Sequence, residues 1–262
     1  MLNLILWTLV HTVPALDAAP LTPLQDPAKA EPKWTGSFLL GAQATNGNSD
    51  SRNANSVFDA VYAREQDRLT LGFLWVYTES KLDDPTTPAV DKDWVLTDRK
   101  TAGRAKYDYF LTKETFAYAA TTAENDLQKQ LQLRWTAGAG IGHQFVDQER
   151  FKFAGEAGAT HFDDDYYASA GAGQDDSYLA LRFATTTTLV QNETWSFAHL
   201  FEYFPASDDL GDYKLHSDLR ATASLTESMV AQFQWIMDYD KTEPPANDST
   251  DNRYLVSVGW KF

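Results

Sequence analysis

In the last ten residues of the chain, Arg253 to Phe262, every second side chain is aromatic or aliphatic up to the terminal Phe. The apolar positions are Tyr254, Val256, Val258, Trp260 and Phe262. Successive side chains of a strand point to opposite faces, so these five share one face and the polar residues share the other. A final strand of this kind, closed by an aromatic residue, is typical of outer-membrane β-barrels, whose polar face lines a lumen.

The same alternation recurs from Trp34 onward in segments of roughly ten residues, twelve in number. The sequence therefore predicts an all-β fold, an antiparallel transmembrane β-barrel of about twelve strands over residues 34–262. The predicted outward faces include Phe116 and Tyr118 on the fifth strand and Leu131 on the sixth. A soluble β-sandwich or lipocalin-like barrel also fits alternation, but its aromatic faces would point inward.

The connections between these segments alternate in length, as expected when one end of a barrel has short turns and the other has long loops. Residues 65–68 and 112–114 are tight, whereas 81–98 and 205–212 are long and rich in Asp, Gly and Pro. Residues 122–126 are expected to form the shortest connection of the long-loop set. Both chain ends then lie on the short-turn, periplasmic side.

The start of the chain is typical of an exported protein. Residues 1–18 combine an apolar run with small residues that permit cleavage, which predicts a signal peptide. Residues 19–33 contain four prolines and are expected to form a periplasmic arm. No run of 18 apolar residues follows, so a closed barrel is the one way this chain can span a membrane. The predicted location is the bacterial outer membrane.

Composition excludes several function classes. A net charge of -15 leaves no basic surface for nucleic acid. The absence of Cys excludes zinc-thiolate sites and thiol nucleophiles, and no cofactor or metal centre is expected. The acidic runs are interpreted as solvated outer loops or, alternatively, as holders of a structural cation. They comprise residues 83–84, 163–165, 175–176 and 208–209.

Catalytic serine chemistry is not indicated. His143, His161 and His199 fall in phase with apolar neighbours, which places them near the lipid interface. His216 lies on a polar face, but its neighbour Ser217 points the other way. The sequence therefore predicts no enzyme.

The polar faces supply the candidate functional residues, which carry both signs of charge. The predicted lumen-lining residues are Asp59, Arg104, Lys106, Asp108, Arg134, Lys152, Glu156, Arg182, Glu202, Lys214, Asp218, Arg220 and Asp238. Arg134 is expected near mid-barrel, between lumen-facing Gln132 and Thr136. Two interpretations remain open, namely salt bridges across a narrow wet interior and a solute path lined by fixed charges.

Four short motifs resemble one known family. They are Trp34-Thr-Gly-Ser, Thr45-Asn-Gly-Asn-Ser, Gly138-Ala-Gly-Ile-Gly-His-Gln-Phe and the closing Gly259-Trp-Lys-Phe. Over residues 34–262 the chain is similar to the salt-induced outer-membrane proteins, the YdiY-like barrels of unassigned function. The resemblance implies a fold and a location, and a link to salt or osmotic stress, but no reaction.

The sequence thus predicts a passive protein. It is a narrow channel for small solutes or ions, or a structural envelope protein; the alternative is a surface barrel that binds a ligand through its acidic outer loops. The expected partners are outer-membrane lipid and the outer-membrane assembly machinery, the latter through Phe262. The oligomeric state is left open.

Overall fold

The computed structural model describes residues 33–46, 50–81, 93–168, 176–242 and 249–262. The predicted signal peptide, nearly all of the predicted arm, and the acidic pairs at 83–84 and Asp175 lie outside these ranges. The described residues form twelve strands, β1 (Lys33–Thr45), β2 (Ser51–Ala63), β3 (Asp67–Lys81), β4 (Trp94–Phe110), β5 (Thr115–Asp126), β6 (Leu131–Asp147), β7 (Phe151–Tyr166), β8 (Asp176–Val190), β9 (Trp195–Pro205), β10 (Tyr213–Ser224), β11 (Met229–Asp240) and β12 (Thr250–Lys261).

Each strand pairs antiparallel with its neighbours in sequence, and β1 pairs with β12 to close the barrel. The predicted all-β, twelve-stranded antiparallel barrel is confirmed. Closure removes the free sheet edges that a lipid environment does not tolerate. In the described part of the chain, no helix is both long enough and apolar enough to cross a bilayer.

The outer face of the barrel is apolar, because the alternation along each strand directs aromatic and aliphatic side chains outward. On β12, Tyr254 and Val256 are 66% and 69% exposed. The alternate residues Arg253, Leu255 and Ser257 are buried. Trp34, Trp135 and Trp195 are exposed in the same way on other strands. The alternative in which the aromatic faces point inward is wrong, and an apolar exterior around a closed barrel is the arrangement of an outer-membrane protein.

One predicted face is inverted. Phe116 and Tyr118 on β5 point into the lumen, where they are 0% and 4% exposed. Glycines on the neighbouring strand make the room: a Cβ on Gly142 would overlap the Phe116 ring, and one on Gly140 would lie 2.7 Å from the Tyr118 hydroxyl oxygen. The two rings fill the space that larger side chains at Gly140 and Gly142 would occupy. The inward and outward faces of β5 are therefore exchanged relative to the prediction.

A second correction concerns the start of β6. The register of β6 against β7 shifts between Leu131 and Leu133, which is a β-bulge. The extra residue rotates Leu131 into the interior, where it is 0% exposed, and turns Gln132 outward to an exposed position. Leu131 therefore does not face lipid, and Gln132 does not share the lumen face with Arg134.

The turn between β5 and β6 also differs from expectation. β5 continues to Asp126, and the reversal is made by residues 127–130, not 122–126. Gln130 adopts φ of 54° there, in the left-handed region. The correction lengthens β5 and places Glu124 and Asp126 at its outer end, facing the lumen.

The seam between the first and last strands is short. β1 pairs with β2 along all 13 of its residues, but with β12 only from Ser37 (opposite Lys261) to Leu40 (opposite Val258). Mutual backbone hydrogen bonds of 2.9 Å between Gly36 and Phe262 extend it at the short-turn end. Beyond Leu40 both strands continue outward without pairing to each other in this register.

Candidate functional site

A cavity of about 280 Å³ lies within the lumen. Its wall extends from Lys129, in the outer turn between β5 and β6, to Arg68, the second residue of β3 at the short-turn end. Threonines on one side, among them Thr122, Thr136 and Thr160, give it an uncharged hydroxyl surface. Charged side chains from ten of the strands, β2 to β11, make up most of the rest of its polar lining.

A first group of ion pairs crosses the lumen from β10 to β2 and β4. Arg220 lies 2.5 Å from Asp59 and 2.8 Å from Asp218, and Arg104 lies 3.0 Å from the other oxygen of Asp59. Gln234 donates a hydrogen bond of 2.9 Å to Asp218. Arg220 is buried, whereas the Arg104 side chain is 29% exposed to the cavity. Arg104 is therefore the member of this group best placed to meet a solute.

A second group lies over the inward aromatic rings of β5. Lys106 joins Asp108 and Glu156, each at 2.6 Å. Its ammonium nitrogen is 5.0 Å from the centroid of the Phe116 ring and 5.1 Å from that of Tyr118. Two arginine side chains also lie against these rings. These cation–π contacts explain why aromatic residues are favourable on this polar wall.

Two arginines extend this group in opposite directions. Arg68 lies 2.8 Å from Asp108 and its guanidinium carbon is 5.7 Å from the Phe116 centroid. Arg182 lies 2.7 Å from Glu156 and 2.7 Å from Glu202. Together the two groups form what we call the central network. Its cations are Arg68, Arg104, Lys106, Arg182 and Arg220, and its anions are Asp59, Asp108, Glu156, Glu202 and Asp218.

A further set of pairs, the outer network, lies at the long-loop end. Asp238 is its hub, with Lys100 at 3.0 Å, Lys129 at 3.5 Å and the His216 ring nitrogen Nδ1 at 2.6 Å. Arg253 on β12 reaches across the lumen to Asp126 at 2.7 Å. These contacts tie the outer turn to strands from both halves of the barrel.

The outer network continues around the wall through Arg134, which binds both oxygens of Asp164 at 2.6 Å and contacts Glu124 at 3.3 Å. Lys214 pairs with Asp240. Its cations are Lys100, Lys129, Arg134, Lys214 and Arg253, and its anions are Asp98, Glu124, Asp126, Asp164, Asp238, Asp240 and Asp251. Among these described residues the outer network has more carboxylates than Lys and Arg, whereas the central network is balanced.

One side of the lumen is apolar, which the sequence pattern did not indicate. Inward-facing aliphatic side chains from β1, β2, β3, β11 and β12 pack into two clusters that share Leu74. We call them the aliphatic wedge, formed by Leu39, Val57, Leu74, Val76, Val230, Ile236 and Leu255. Val57, Leu74 and Ile236 also line the cavity, so the wedge lies between the charged space and the seam of β1 and β12.

Twelve of the thirteen predicted lumen residues surround the cavity, and Lys152 does not. Lys152 lies 2.8 Å from Asp147, next to the short turn between β6 and β7. Arg134 lies near the outer end of β6 and not at mid-barrel, because β6 begins directly after the turn at 127–130. Charged residues that the sequence reasoning missed also line the cavity, namely Arg68, Lys100, Glu124, Lys129 and Asp240. Strand phase indicates an inward position for Arg68, Lys100 and Asp240. It does not do so for Lys129, which lies in a turn, or for Glu124, because the phase of β5 was predicted the wrong way round.

The histidines differ in their surroundings. His143 and His161 stack edge-on against Phe145 and Trp135 on the outer face. His199 Nε2 lies 2.9 Å from the hydroxyl oxygen of Ser217, a cross-strand pair that sequence spacing does not indicate because the two residues are 18 positions apart. His216 faces the lumen. In the described part of the chain no hydrogen bond joins a carboxylate to His199, so the pair satisfies two polar groups on an apolar face and does not make a catalytic triad.

Metal ligation finds no support among the described residues, where no group of three or more His, Asp and Glu side chains is arranged to hold an ion. The carboxylates of the lumen instead face Lys and Arg. The site's chemistry is therefore that of fixed, paired charges around a polar cavity.

Comparison with protein families gives one match. Residues 39–262 match the family described as "Protein of unknown function, DUF481". The chain belongs to this family. The DUF481 match begins within β1 and ends at the terminal Phe262, so it covers nearly the whole barrel. Among curated proteins, no sequence matches the chain.

Three solved structures similar to this DUF481 barrel are distant from it in sequence. The NanC porin is 10% identical, with a TM-score of 0.49 over 87% of this chain and 100% of that chain. The beta domain of the Bordetella autotransporter BrkA is 12% identical, with a TM-score of 0.37 over 87% of this chain and 97% of that chain. A Pseudomonas aeruginosa FadL homologue is 9% identical, with a TM-score of 0.33 over 86% and 74%.

Proposed function

We propose that this protein resides in the bacterial outer membrane and gives small hydrophilic solutes or ions a narrow passive route through its lumen. The observation that carries the proposal is the cavity that extends from Lys129 at the outer turn to Arg68 at the short-turn end. Its polar wall carries charges of both signs. Charges of this number are costly in a dry interior, so a hydrated lumen accounts for them better than a solid core does.

The paired charges make the route narrow and selective. Arg104 pairs with Asp59 and is partly exposed to the cavity, so a passing anion can contact it without breaking the buried pairs behind it. Arg134 is less suitable as a selectivity residue, because it is buried and held by Asp164 and Glu124. We therefore place the selectivity-determining charge at Arg104.

Conductance of the purified, refolded protein in a planar bilayer tests the proposal. We expect small unitary currents in the parent protein. Arg104→Glu should shift the reversal potential across a salt gradient towards cation selectivity, since a fixed charge inside a pore acts directly on a passing ion. Arg52→Glu is the matched control, because Arg52 is on the outer rim with its side chain 54% exposed and is screened by bulk salt. Absence of any conductance would refute the channel.

A structural envelope role is the second candidate, and the aliphatic wedge favours it. Six buried aliphatic side chains and the partly buried Leu74 fill one side of the lumen and stabilise the barrel without serving a polar solute. On this proposal the protein strengthens the envelope under salt or osmotic stress. A deletion strain should then lose barrier function at high NaCl while the purified protein conducts nothing. Ligand binding by the acidic outer loops stays a prediction.

A further inference from the structure

A group of small inward-facing residues makes room for the cavity near the middle of β5, β6 and β7. The group consists of Ala120, Thr122, Thr136, Gly138 and Thr160, all of which line the cavity. Thr122 is opposite Thr136 in the sheet. Ala120 is opposite Gly138, which in turn is opposite Thr160. The five residues therefore form one continuous surface, which we call the hydroxyl floor.

The hydroxyl groups of this floor can bind a solute. Thr122 and Thr136 share one hydrogen bond of 2.6 Å between their oxygens, which leaves the pair a second O–H donor and further lone pairs. The Thr160 hydroxyl makes no side-chain hydrogen bond to another described residue. The floor thus offers uncharged donors and acceptors side by side. A solute hydroxyl needs both, because it donates one hydrogen bond and accepts others.

The charges that border the floor are already paired. On its short-turn side, Lys106 and Glu156 hold each other at 2.6 Å. On its outer side, Arg134 contacts Glu124 at 3.3 Å. An ion that stayed at the floor would lose its hydration and compete with these pairs for a partner. A neutral solute that forms hydrogen bonds does not have to break them.

A second polar surface of the same cavity comes from β9 and β10, where Glu202 and His216 are opposite each other. Their side chains are 18% and 28% exposed. Arg182 binds Oε1 of Glu202, and Asp238 binds Nδ1 of His216. Oε2 of the carboxylate and Nε2 of the imidazole are therefore the atoms that can form a hydrogen bond with a solute.

We propose that the cavity binds one small neutral polyol, of the size of a monosaccharide, whose hydroxyls are shared between the hydroxyl floor and the pair of Glu202 and His216. The inference rests on the proposed route, because it names the class of solute that occupies the same cavity. A volume of about 280 Å³ lies just below that of pockets for drug-sized molecules, roughly 300 to 1,000 Å³, so it accepts one sugar ring and not several. Arg104 acts on passing ions but retains no anion, since Asp59 at 3.0 Å competes for it.

Saturation-transfer difference NMR on the refolded full-length protein in detergent micelles tests the site with three sugars of one ring size. D-Glucose is neutral, glucuronate carries a carboxylate, and glucosamine carries an ammonium group. We expect a saturable signal from glucose and weaker binding of both charged sugars. A charged sugar that binds as tightly as glucose or more tightly, or the absence of a saturable glucose signal, overturns the proposal.

Substitutions in the floor locate the binding. Thr160→Val removes a hydroxyl that no other described side chain uses, so glucose should bind about fivefold more weakly, the effect of one lost hydrogen bond. Ala120→Leu fills part of the floor and should abolish the signal. The matched controls, Thr101→Val and Ala119→Leu, lie on the outward faces of β4 and β5 and should leave binding unchanged. Heat-modifiability on a gel shows which variants fold, and equal binding by all the folded variants overturns the proposal.

Binding and conduction are measured separately, so the two proposals can fail separately. A barrel that conducts ions in a planar bilayer but gives no saturable glucose signal keeps the route and refutes the polyol site. A barrel that binds glucose with the expected loss in Thr160→Val, yet neither conducts ions nor lets liposomes swell in glucose, refutes the route and supports the site.

Discussion

Asn55 on β2 and Ser257 on β12 are joined by a hydrogen bond of 2.6 Å that spans the strand between them. The contact is possible because Gly41, the β1 residue opposite Asn55, has no side chain to block it. It closes the inner side of the seam at the level where backbone pairing between β1 and β12 has ended. The side-chain hydrogen bond thus holds β12 in place where its backbone pairing with β1 has ended.

Asn55→Ala and Ser257→Ala should each lower the free energy of unfolding, and the two effects should not add. A buried hydrogen bond of this kind is worth about 1 kcal/mol, so a double-mutant cycle in urea should show a coupling near that value. The control pair is Thr122→Ala with Ser257→Ala, since Thr122 bonds to Thr136 and lies on β5, which does not adjoin β12. Additive effects for Asn55 and Ser257 would show that the bond does not hold the seam.

The ion pairs of the central network should be far more sensitive to substitution than those at the surface. Arg220→Ala leaves the buried carboxylates of Asp59 and Asp218 without a shared partner, and we expect a loss of about 3 to 5 kcal/mol. Arg64→Ala removes an arginine bonded to Asp67 in an exposed turn, and should cost far less because solvent screens the pair. Urea unfolding in vesicles compares them, and similar losses would mean that the lumen screens its charges as bulk water does.

Two alanines at the centres of long strands test which face meets lipid. Ala139 at the middle of β6 points outward and is exposed, whereas Ala102 at the middle of β4 lines the cavity. Ala139→Arg should destabilise the protein by about 2 to 4 kcal/mol, because an arginine at the bilayer midplane is costly. Ala102→Arg should cost clearly less, and a larger loss at Ala102 than at Ala139 would contradict the assignment of the two faces.

The terminal residue should matter more for assembly than for stability. Phe262 exchanges backbone hydrogen bonds of 2.9 Å with Gly36, and its ring stacks on Phe58 at 6.5 Å between centroids. Deleting Phe262 should lower the amount of heat-modifiable barrel that accumulates in the outer membrane of cells. Phe262→Tyr, which keeps the ring, serves as the control, and normal accumulation of the truncated protein would refute the role.

The barrel was predictable because its outer face obeys one rule. Lipid accepts only apolar side chains, so the alternation of β12 from Tyr254 to Trp260 is enforced along the whole strand. The interior obeys no such rule. Phe116 and Tyr118 could be assigned inward only after Gly140 and Gly142 were known to lie opposite them, which is a property of register between strands and not of either strand alone.

The candidate site was predictable in its membership and not in its arrangement. Asp59, Arg220 and most of the other charged positions follow from strand phase. Their partners do not, because Asp59 and Arg220 lie 161 residues apart in sequence and meet across the lumen. The bulge at Leu131 and the wedge around Leu74 were likewise invisible, since both depend on packing between strands that are distant in the chain.

The pairing of charges across the lumen also makes assembly an all-or-none process. Arg253 on β12 forms an ion pair with Asp126 on β5, and Lys100 on β4 forms one with Asp238 on β11. A partly inserted sheet that lacks its final hairpin would carry these ions into the membrane without partners, at a free-energy cost that no local contact compensates. We therefore expect the chain to insert stably into the bilayer only when the twelfth strand has paired.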